Sequence, residues 1–267
     1  MRDLLRADLV ARRRMILGLA AGVFVFLVVL GGTYQALGGS AMLGDSFTTD
    51  NTPGFFSAFA GETGVDIFEP ASYLALGLIH PLFLVLTFTT GVAMGSASIA
   101  ADVETGRAEL LYTHPRRRSA ILDARFAAWL VAQVVVLLAA FAGAVTGSRL
   151  SDELRHVSIS AIGRCVVQFT PLAVAVGALA FAASSVSQTR ARALSGSIGL
   201  IALAYLVNFV SLLWHPLAFA RRVTPFGYYS PTRALDAIDL VDAVALSALA
   251  VGLVVVARVV VERRDLV

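Results

Sequence analysis

Long apolar stretches separated by short charged segments dominate this chain. Six stretches carry no Asp, Glu or Arg, or carry them only near their ends, and each can hold about 20 residues, the helix length that crosses a bilayer core. A helix satisfies its own backbone hydrogen bonds in lipid. We therefore predict six membrane-spanning helices near residues 15–37, 72–99, 122–147, 162–186, 194–214 and 240–261.

The composition agrees with an all-α, polytopic membrane protein. Of the 267 residues, 58% are hydrophobic and 15% are charged, and the mean hydropathy is +0.80. Soluble domains carry about 25% charged residues. We predict one six-span membrane domain over residues 1–267, with its longest hydrophilic loop at 38–71. That loop contains five Phe among acids and Gly, which suggests a cover over an exit for hydrophobic or amphipathic cargo.

The distribution of Arg predicts the orientation. Segments on the side of the two termini hold 15 of the 21 basic residues, whereas the 38–71 loop holds five acidic residues and no Arg. Loops rich in Lys and Arg stay in the cytoplasm. We therefore place both termini and the loops at 100–121 and 187–192 in the cytoplasm, and the 38–71 loop outside.

The N-terminal sequence "MRDLLRADLVARRR" allows two interpretations. Leu5 and Leu9 are four residues apart and Arg flanks them, which is typical of a short amphipathic helix at the membrane interface. An ordinary basic flank of the first span explains the same residues equally well. We predict an interfacial helix at 1–14.

Several chemistries are excluded by what the sequence lacks. All 21 basic residues are Arg, so the chain has no Lys for a phosphate-binding P-loop or a Schiff base. The single Cys165 forms no intrachain disulfide or thiolate cluster, and the four His show no metal-ligand spacing. We predict no catalytic residue, no metal site and no cofactor in this chain, and no nucleic-acid partner.

The segment "ADVETGRAELLYTHPRRRSAIL" (101–122) concentrates charge between two predicted spans. Acids surround Gly106, Leu110 and Leu111 form a small apolar edge, and Pro115 ends any helix before three consecutive Arg. Adjacent Leu on an exposed connector fit a groove on a partner protein. A charged turn that only fixes the orientation of the chain is the alternative.

This segment resembles the first cytoplasmic loop of type 2 ABC exporter permeases, whose common form is E-x-x-x-G-T-x-E-x-L-L-x-x-P-x-x-R. Seven positions fit that pattern: Glu104, Gly106, Glu109, Leu110, Leu111, Pro115 and Arg118. Three features depart from it. Glu104 lies two residues before Gly106 rather than four, and Arg107 replaces the Thr. Before the final basic position stand Arg116 and Arg117 rather than apolar or hydroxylic residues.

The resemblance implies a separately encoded ATPase that binds ATP and Mg and grips this loop, a second permease chain that forms a homodimer, and a prokaryotic plasma membrane with its lipid. It also implies a set of ATPase-coupling residues: Asp102, Glu104, Gly106, Arg107, Glu109, Leu110, Leu111, His114, Pro115 and Arg118.

The segment "TPFGYYSPTRAL" resembles the family's short re-entrant helices on the outer side, within 215–239. The residues that this resemblance assigns to the re-entrant segment are Pro225, Phe226, Tyr228, Tyr229 and Pro231. Within the family, the sequence of this loop and the compact six-span chain are most similar to those of permeases resembling the copper-maturation exporter of nitrous-oxide reductase.

Other classes of membrane protein find less support. A secondary transporter usually keeps ionisable residues in mid-membrane, and the centres of the six spans hold almost none; Gln168 and Asn208 are expected to be interhelical hydrogen-bond partners. An intramembrane serine protease would need His80 to reach Ser96, but the two lie about four turns apart on one helix. An ATP-independent membrane anchor remains open.

Three GxxxG patterns, at Gly18/Gly22, Gly91/Gly95 and Gly143/Gly147, indicate close helix contacts. Packing within the chain is favoured over a dimer face as their purpose.

Overall fold

The computed structural model describes residues 2–36, 39, 69–108 and 118–264. Within these ranges all regular structure is helical, and six helical segments are long and apolar enough to span a membrane. We label the α-helices in chain order as α1 (Arg2–Ala36), α2 (Pro70–Gly77), α3 (Pro81–Ser96), α4 (Ala100–Glu104), α5 (Arg118–Ser148), α6 (Ile159–Val186), α7 (Arg190–Leu213), α8 (Pro231–Ala234) and α9 (Leu240–Arg263). The 38–71 loop lies outside the described residues except for Gly39 and residues 69–71.

Two predicted boundaries differ from the structure. The predicted N-terminal helix and the first span form one helix, because α1 runs unbroken from Arg2 to Ala36 and residues 2–17 contain no Pro or Gly. The interfacial position of residues 1–14 stays a prediction. Leu5 and Leu9 pack on the protein interior. The second span is interrupted: α2 ends at Gly77, and α3 begins at Pro81 with the His80 ring accepting a hydrogen bond from the Leu82 N–H. Proline lacks an N–H, so it suits the first position of a new helix.

Helix α6 lies at the centre of the bundle. It packs against α3, α7 and α9, while α1 lies along α5. Buried Phe83, Phe88 and Phe169 form the middle of the main core, with ring centroids 4.9 Å (Phe83–Phe169) and 5.7 Å (Phe88–Phe169) apart. By contrast, only 17% of the most apolar 18-residue stretch of α7 is buried, so α7 is a peripheral helix.

Small residues bring α1 and α5 into backbone contact. A Cβ on Gly147 would lie 2.5 Å from the Leu27 carbonyl oxygen, and one on Gly143 would lie 2.7 Å from that of Phe24. Gly91 and Gly95 face α6 at similar range, so two of the three GxxxG patterns pack within the chain. Gly18 has no atom within 4 Å of such a Cβ, so it does not serve this purpose among the described residues.

The bundle has two distinct ends. The start of α1, the end of α9, α4 and the 187–189 turn meet at one end, which we call the terminal end. The 3₁₀ helices His215–Val223 and Pro225–Tyr228, together with α8, lie at the other, which we call the far end. There the Tyr229 hydroxyl donates to the Leu78 carbonyl between α2 and α3.

Candidate functional site

Helix α4 follows α3 after a connector of three residues, 97–99, and hydrogen bonds hold this junction to α6. The Ser184 hydroxyl oxygen accepts the N–H groups of Ile99 and Ala100 at 3.0 Å and donates to the Ser96 carbonyl at 3.0 Å. All of these atoms are buried. One hydroxyl thus satisfies the last turn of α3 and the first turn of α4, which would otherwise hold unpaired backbone groups.

Arg125, near the start of α5, contacts α4, α1 and the connector between α3 and α4. Its Nη1 donates to Asp102 Oδ2 at 2.5 Å and to the carbonyl of Ser98, and its Nε lies 3.8 Å from Asp8 Oδ2. The side chains of Arg125 and Asp102 are only 15% and 6% exposed. A planar guanidinium with several fixed donors suits such a three-way contact.

Glu104, the last residue of α4, contacts the start of α7. Its Oε2 accepts the backbone N–H of Arg190 at 2.9 Å. A carboxylate at a helix N-terminus interacts favourably with the unpaired N–H groups and the positive end of the helix dipole. Gly106 follows in a left-handed conformation, φ 71°, which glycine adopts without steric cost.

The C-terminal segment completes the terminal end. Arg264 donates from Nη1 to the carbonyls of Ser185 (2.8 Å) and Ser187 (2.9 Å), and its own carbonyl accepts from Arg118 Nη1 at 2.7 Å. The end of α9 is therefore bonded both to the end of α6 and to the start of α5. Nearby, Arg258 forms an exposed bidentate pair with Asp123.

A cleft of about 410 Å³ opens between α3 and α7. Its walls are Leu84, Val85, Phe88, Thr89, Val92 and Ala93 on α3 and Leu194, Ile198, Ile201, Ala202 and Tyr205 on α7, and Pro81 and Phe226 also line it. The Thr89 hydroxyl donates to the Val85 carbonyl of its own helix at 2.6 Å, so it adds little polarity. The cleft volume falls within the usual range for small-ligand sites, about 300–1,000 Å³.

Residues 215–234 at the far end, which we call the far-end segment, close one end of this cleft. Phe226 packs edge-on against Tyr205 with ring centroids 5.4 Å apart, and Tyr229 packs against Phe169 at 5.3 Å. Burial raises the pKa of the Tyr229 phenol well above its usual value, so it acts as a neutral hydrogen-bond donor. Pro231 begins α8, and its carbonyl accepts from the Cys165 thiol.

The structure places the predicted coupling residues unevenly. Asp102 is buried and internally paired, Glu104 caps α7, Gly106 and Arg107 are exposed, and Arg118 binds the C-terminal segment. The remaining predicted residues, Glu109, Leu110, Leu111, His114 and Pro115, lie outside the described residues. Tyr228, in the far-end segment, donates to the Arg222 carbonyl at 2.8 Å.

Sequence reasoning missed two residues that hold this site together. Arg125 was counted only as part of a basic flank, although an Arg inside a predicted span is itself a signal for a specific partner. Ser184 carries no sequence signal, because Ser is common in membrane helices. The prediction for Gln168 is confirmed, since its amide exchanges two hydrogen bonds with the backbone of Asp239. Asn208 accepts from the Thr224 hydroxyl at 3.4 Å.

His80 and Ser96 lie at the two ends of α3, which separates them by its full length. The geometry therefore gives no nucleophile–base pair between them, as the sequence indicated.

Residues 3–266 match the model of a family described as ABC-2 family transporter protein. No curated protein matched the chain closely enough to be reported as a relative.

Proposed function

Because the chain belongs to the ABC-2 transporter family, a family of membrane transport components, we propose that it is the permease subunit of an ATP-driven exporter. A separately encoded ATPase subunit binds ATP and Mg and supplies the energy, since this chain has no Lys for a P-loop. The closer resemblance to permeases like that of the nitrous-oxide-reductase copper-maturation exporter stays a prediction, and it assigns no cargo.

The observation that carries the proposal is the set of bonds around α4. This five-residue helix is joined to α6 through Ser184, to α1 and α5 through Arg125, and to α7 through Glu104. A partner that displaces α4 therefore acts on four spans at once. A charged turn with only a topological role has no need of such connections.

The proposed orientation puts the terminal end in the cytoplasm, within reach of a soluble ATPase. The excess of Arg at this end supports it. The described part of the coupling segment, Asp102–Ala108, also offers an outward surface: Glu104 to Arg107 are all exposed.

A displacement of α4 would change the shape of the cleft between α3 and α7. Its α3 wall is connected to α4 through residues 97–99, and α7, which forms the other wall from Leu194 onward, begins at Arg190, whose N–H donates to Glu104. Movement of α4 relative to the bundle therefore alters the separation of the two walls. The apolar lining favours hydrophobic or amphipathic cargo over ions.

A second permease chain is part of the proposal. Leu200, Leu203 and Leu206 on α7 are between 53% and 56% exposed and form an apolar face that a lipid or another chain must cover. We propose that two copies pair, since two coupling segments would then present themselves to a symmetric ATPase dimer.

The test is reconstitution with candidate soluble ABC ATPase subunits from the same organism. The expected result is co-purification, together with ATP hydrolysis that rises when the permease is present in lipid vesicles. Arg107→Glu, which reverses an exposed charge on the coupling segment, should weaken the complex, whereas Arg149→Glu at the far end should not. Failure of any ATPase to bind the intact chain would favour an ATP-independent anchor or a secondary transporter.

A further inference from the structure

The cleft between α3 and α7 has the length of one lipid leaflet. Its lining runs along α3 from Pro81 to Ala93, and twelve steps of about 1.5 Å give about 18 Å. Half of a bilayer hydrocarbon core is about 15 Å. The cleft starts near the terminal end and is open at its side, where Val85 and Ile198 are 62% and 50% exposed. An acyl chain of the adjacent leaflet can therefore enter laterally.

A cationic side chain lies at the terminal end of the same cleft. Arg12 Nη1 is 3.4 Å from the carbonyl oxygen of Ala93, which lines the cleft. Arg12 is partly buried; Asp8 attracts its guanidinium, whereas Arg190 and Arg125 repel it. A partly desolvated cation beside two like charges is stabilised by a further anion.

No carboxylate of the described residues forms an ion pair with Arg12. Asp8 attracts it from a greater distance, but the Asp8 carboxylate is 3.8 Å from Arg125 Nε. Asp102 is bonded to Arg125, and Glu104 accepts the Arg190 N–H. These three acids at the terminal end thus have other partners, and among the described residues the Arg12 guanidinium donates only to the Ala93 carbonyl. Its other donors can bind an external anion.

We infer that this place binds an anionic phospholipid of the surrounding membrane, with one acyl chain in the cleft and the phosphate at Arg12. The two parts of the site match the two parts of that molecule: an apolar slot one leaflet long, and a guanidinium at the depth of the headgroups. Guanidinium groups bind phosphate through charge-assisted, bidentate hydrogen bonds. The terminal end, if cytoplasmic, faces the leaflet in which anionic lipids give a negative surface potential.

The experiment measures lipid binding to the full chain in detergent by native mass spectrometry, with phosphatidylglycerol and phosphatidylcholine of equal chain length as probes. Wild type should prefer phosphatidylglycerol. Arg12→Gln should weaken binding of phosphatidylglycerol about fivefold to tenfold and leave phosphatidylcholine unchanged, because only the phosphatidylglycerol headgroup has a net negative charge. Arg12→Lys should retain the preference. Arg13→Gln is the matched control, since Arg13 is the exposed neighbour on the same helix.

A second pair of variants tests the apolar half. Ala202→Phe places a ring in the cleft and should reduce binding of both lipids, whereas Leu203→Phe, outside the cleft lining, should reduce neither. Equal losses for Arg12→Gln and Arg13→Gln would show general attraction to surface charge and overturn the inference. Unchanged binding by Ala202→Phe would overturn it as well. Because no ATPase is present, either failure leaves the proposed transport function intact.

Discussion

Arg125 Nη1 and Asp102 Oδ2 are 2.5 Å apart at the terminal end of the bundle, where α4 crosses the start of α5. The pair is largely shielded from water, and the Ser98 carbonyl and Asp8 occupy the remaining sides of the guanidinium. Removing one member leaves the other charge desolvated and without its main partner. That asymmetry makes the pair a sharp test of how firmly α4 is held.

Arg125→Ala should lower the free energy of unfolding by about 3 kcal/mol, because breaking a buried ion pair is costly. The control is Arg258→Ala, which breaks the exposed pair with Asp123 and should cost at most about 1 kcal/mol. Unfolding by titration with sodium dodecyl sulfate measures both. The double variant Asp102→Leu/Arg125→Met should recover much of the loss, and equal losses for the two single Arg variants would contradict the assignment.

Glu104→Ala should speed hydrogen exchange of the Arg190 amide about tenfold, since the carboxylate is the partner that the structure gives to that N–H. Glu104→Gln keeps an acceptor oxygen and should stay closer to wild type. Asp152→Ala, an exposed acid at the far end, is the control. Exchange is followed by mass spectrometry, and an unchanged rate in Glu104→Ala would refute the contact.

Charge reversal of the coupling segment tests its role in transport. Glu104→Arg and Glu109→Arg should insert normally in the membrane but uncouple ATP hydrolysis from export. Hydrolysis and export are measured together in vesicles that contain the ATPase. If both variants retain normal co-purification and normal export, the coupling role of this segment is wrong.

Gly147→Ala should destabilise the bundle by about 1–3 kcal/mol, because the added methyl group meets the Leu27 carbonyl at 2.5 Å. Gly18→Ala is the matched change on α1, where nothing lies within 4 Å. It should be neutral or stabilise by about 0.5–1 kcal/mol through helix propensity. Melting temperatures in detergent compare them, and a similar loss in Gly18→Ala would point instead to a contact with another chain.

Accessibility labelling tests the proposed orientation. In a Cys165→Ser background, a cysteine at Arg107 should react with a membrane-impermeant reagent only after the cytoplasmic side is exposed. A cysteine at Asp152 should react in intact cells. The reverse pattern would remove the coupling segment from the reach of a cytoplasmic ATPase.

The six spans could be predicted because lipid imposes a simple rule on composition, and runs of about 20 apolar residues obey it. The packing role of Gly143 and Gly147 followed from the same kind of local pattern. The hydrogen bonds of Gln168 were also foreseeable, since an amide within a span needs a partner.

Features that depend on tertiary contacts could not be predicted. The hydropathy of 72–99 is continuous, so the break before Pro81 was hidden, although the Pro itself was visible. Arg12 and Arg125 look alike in sequence, as basic residues close to the start of a span. Yet Arg125 lies between Asp8 and Asp102, whereas Arg12 has no acid in ion-pair range among the described residues. That difference arises only when α1, α4 and α5 come together.

The contact between Gly147 and the backbone of α1 has a mechanical consequence. Where two helices are in contact through main-chain atoms, no flexible side chain lies between them to accommodate a relative movement. Helices α1 and α5 therefore form a rigid pair. On α7, by contrast, a Cβ added to Gly196 or Gly199 would meet no atom of the described residues within 4 Å, so neither glycine makes such a contact. A displacement of α4 would therefore move α1 and α5 together as one rigid unit and tilt α7 relative to them.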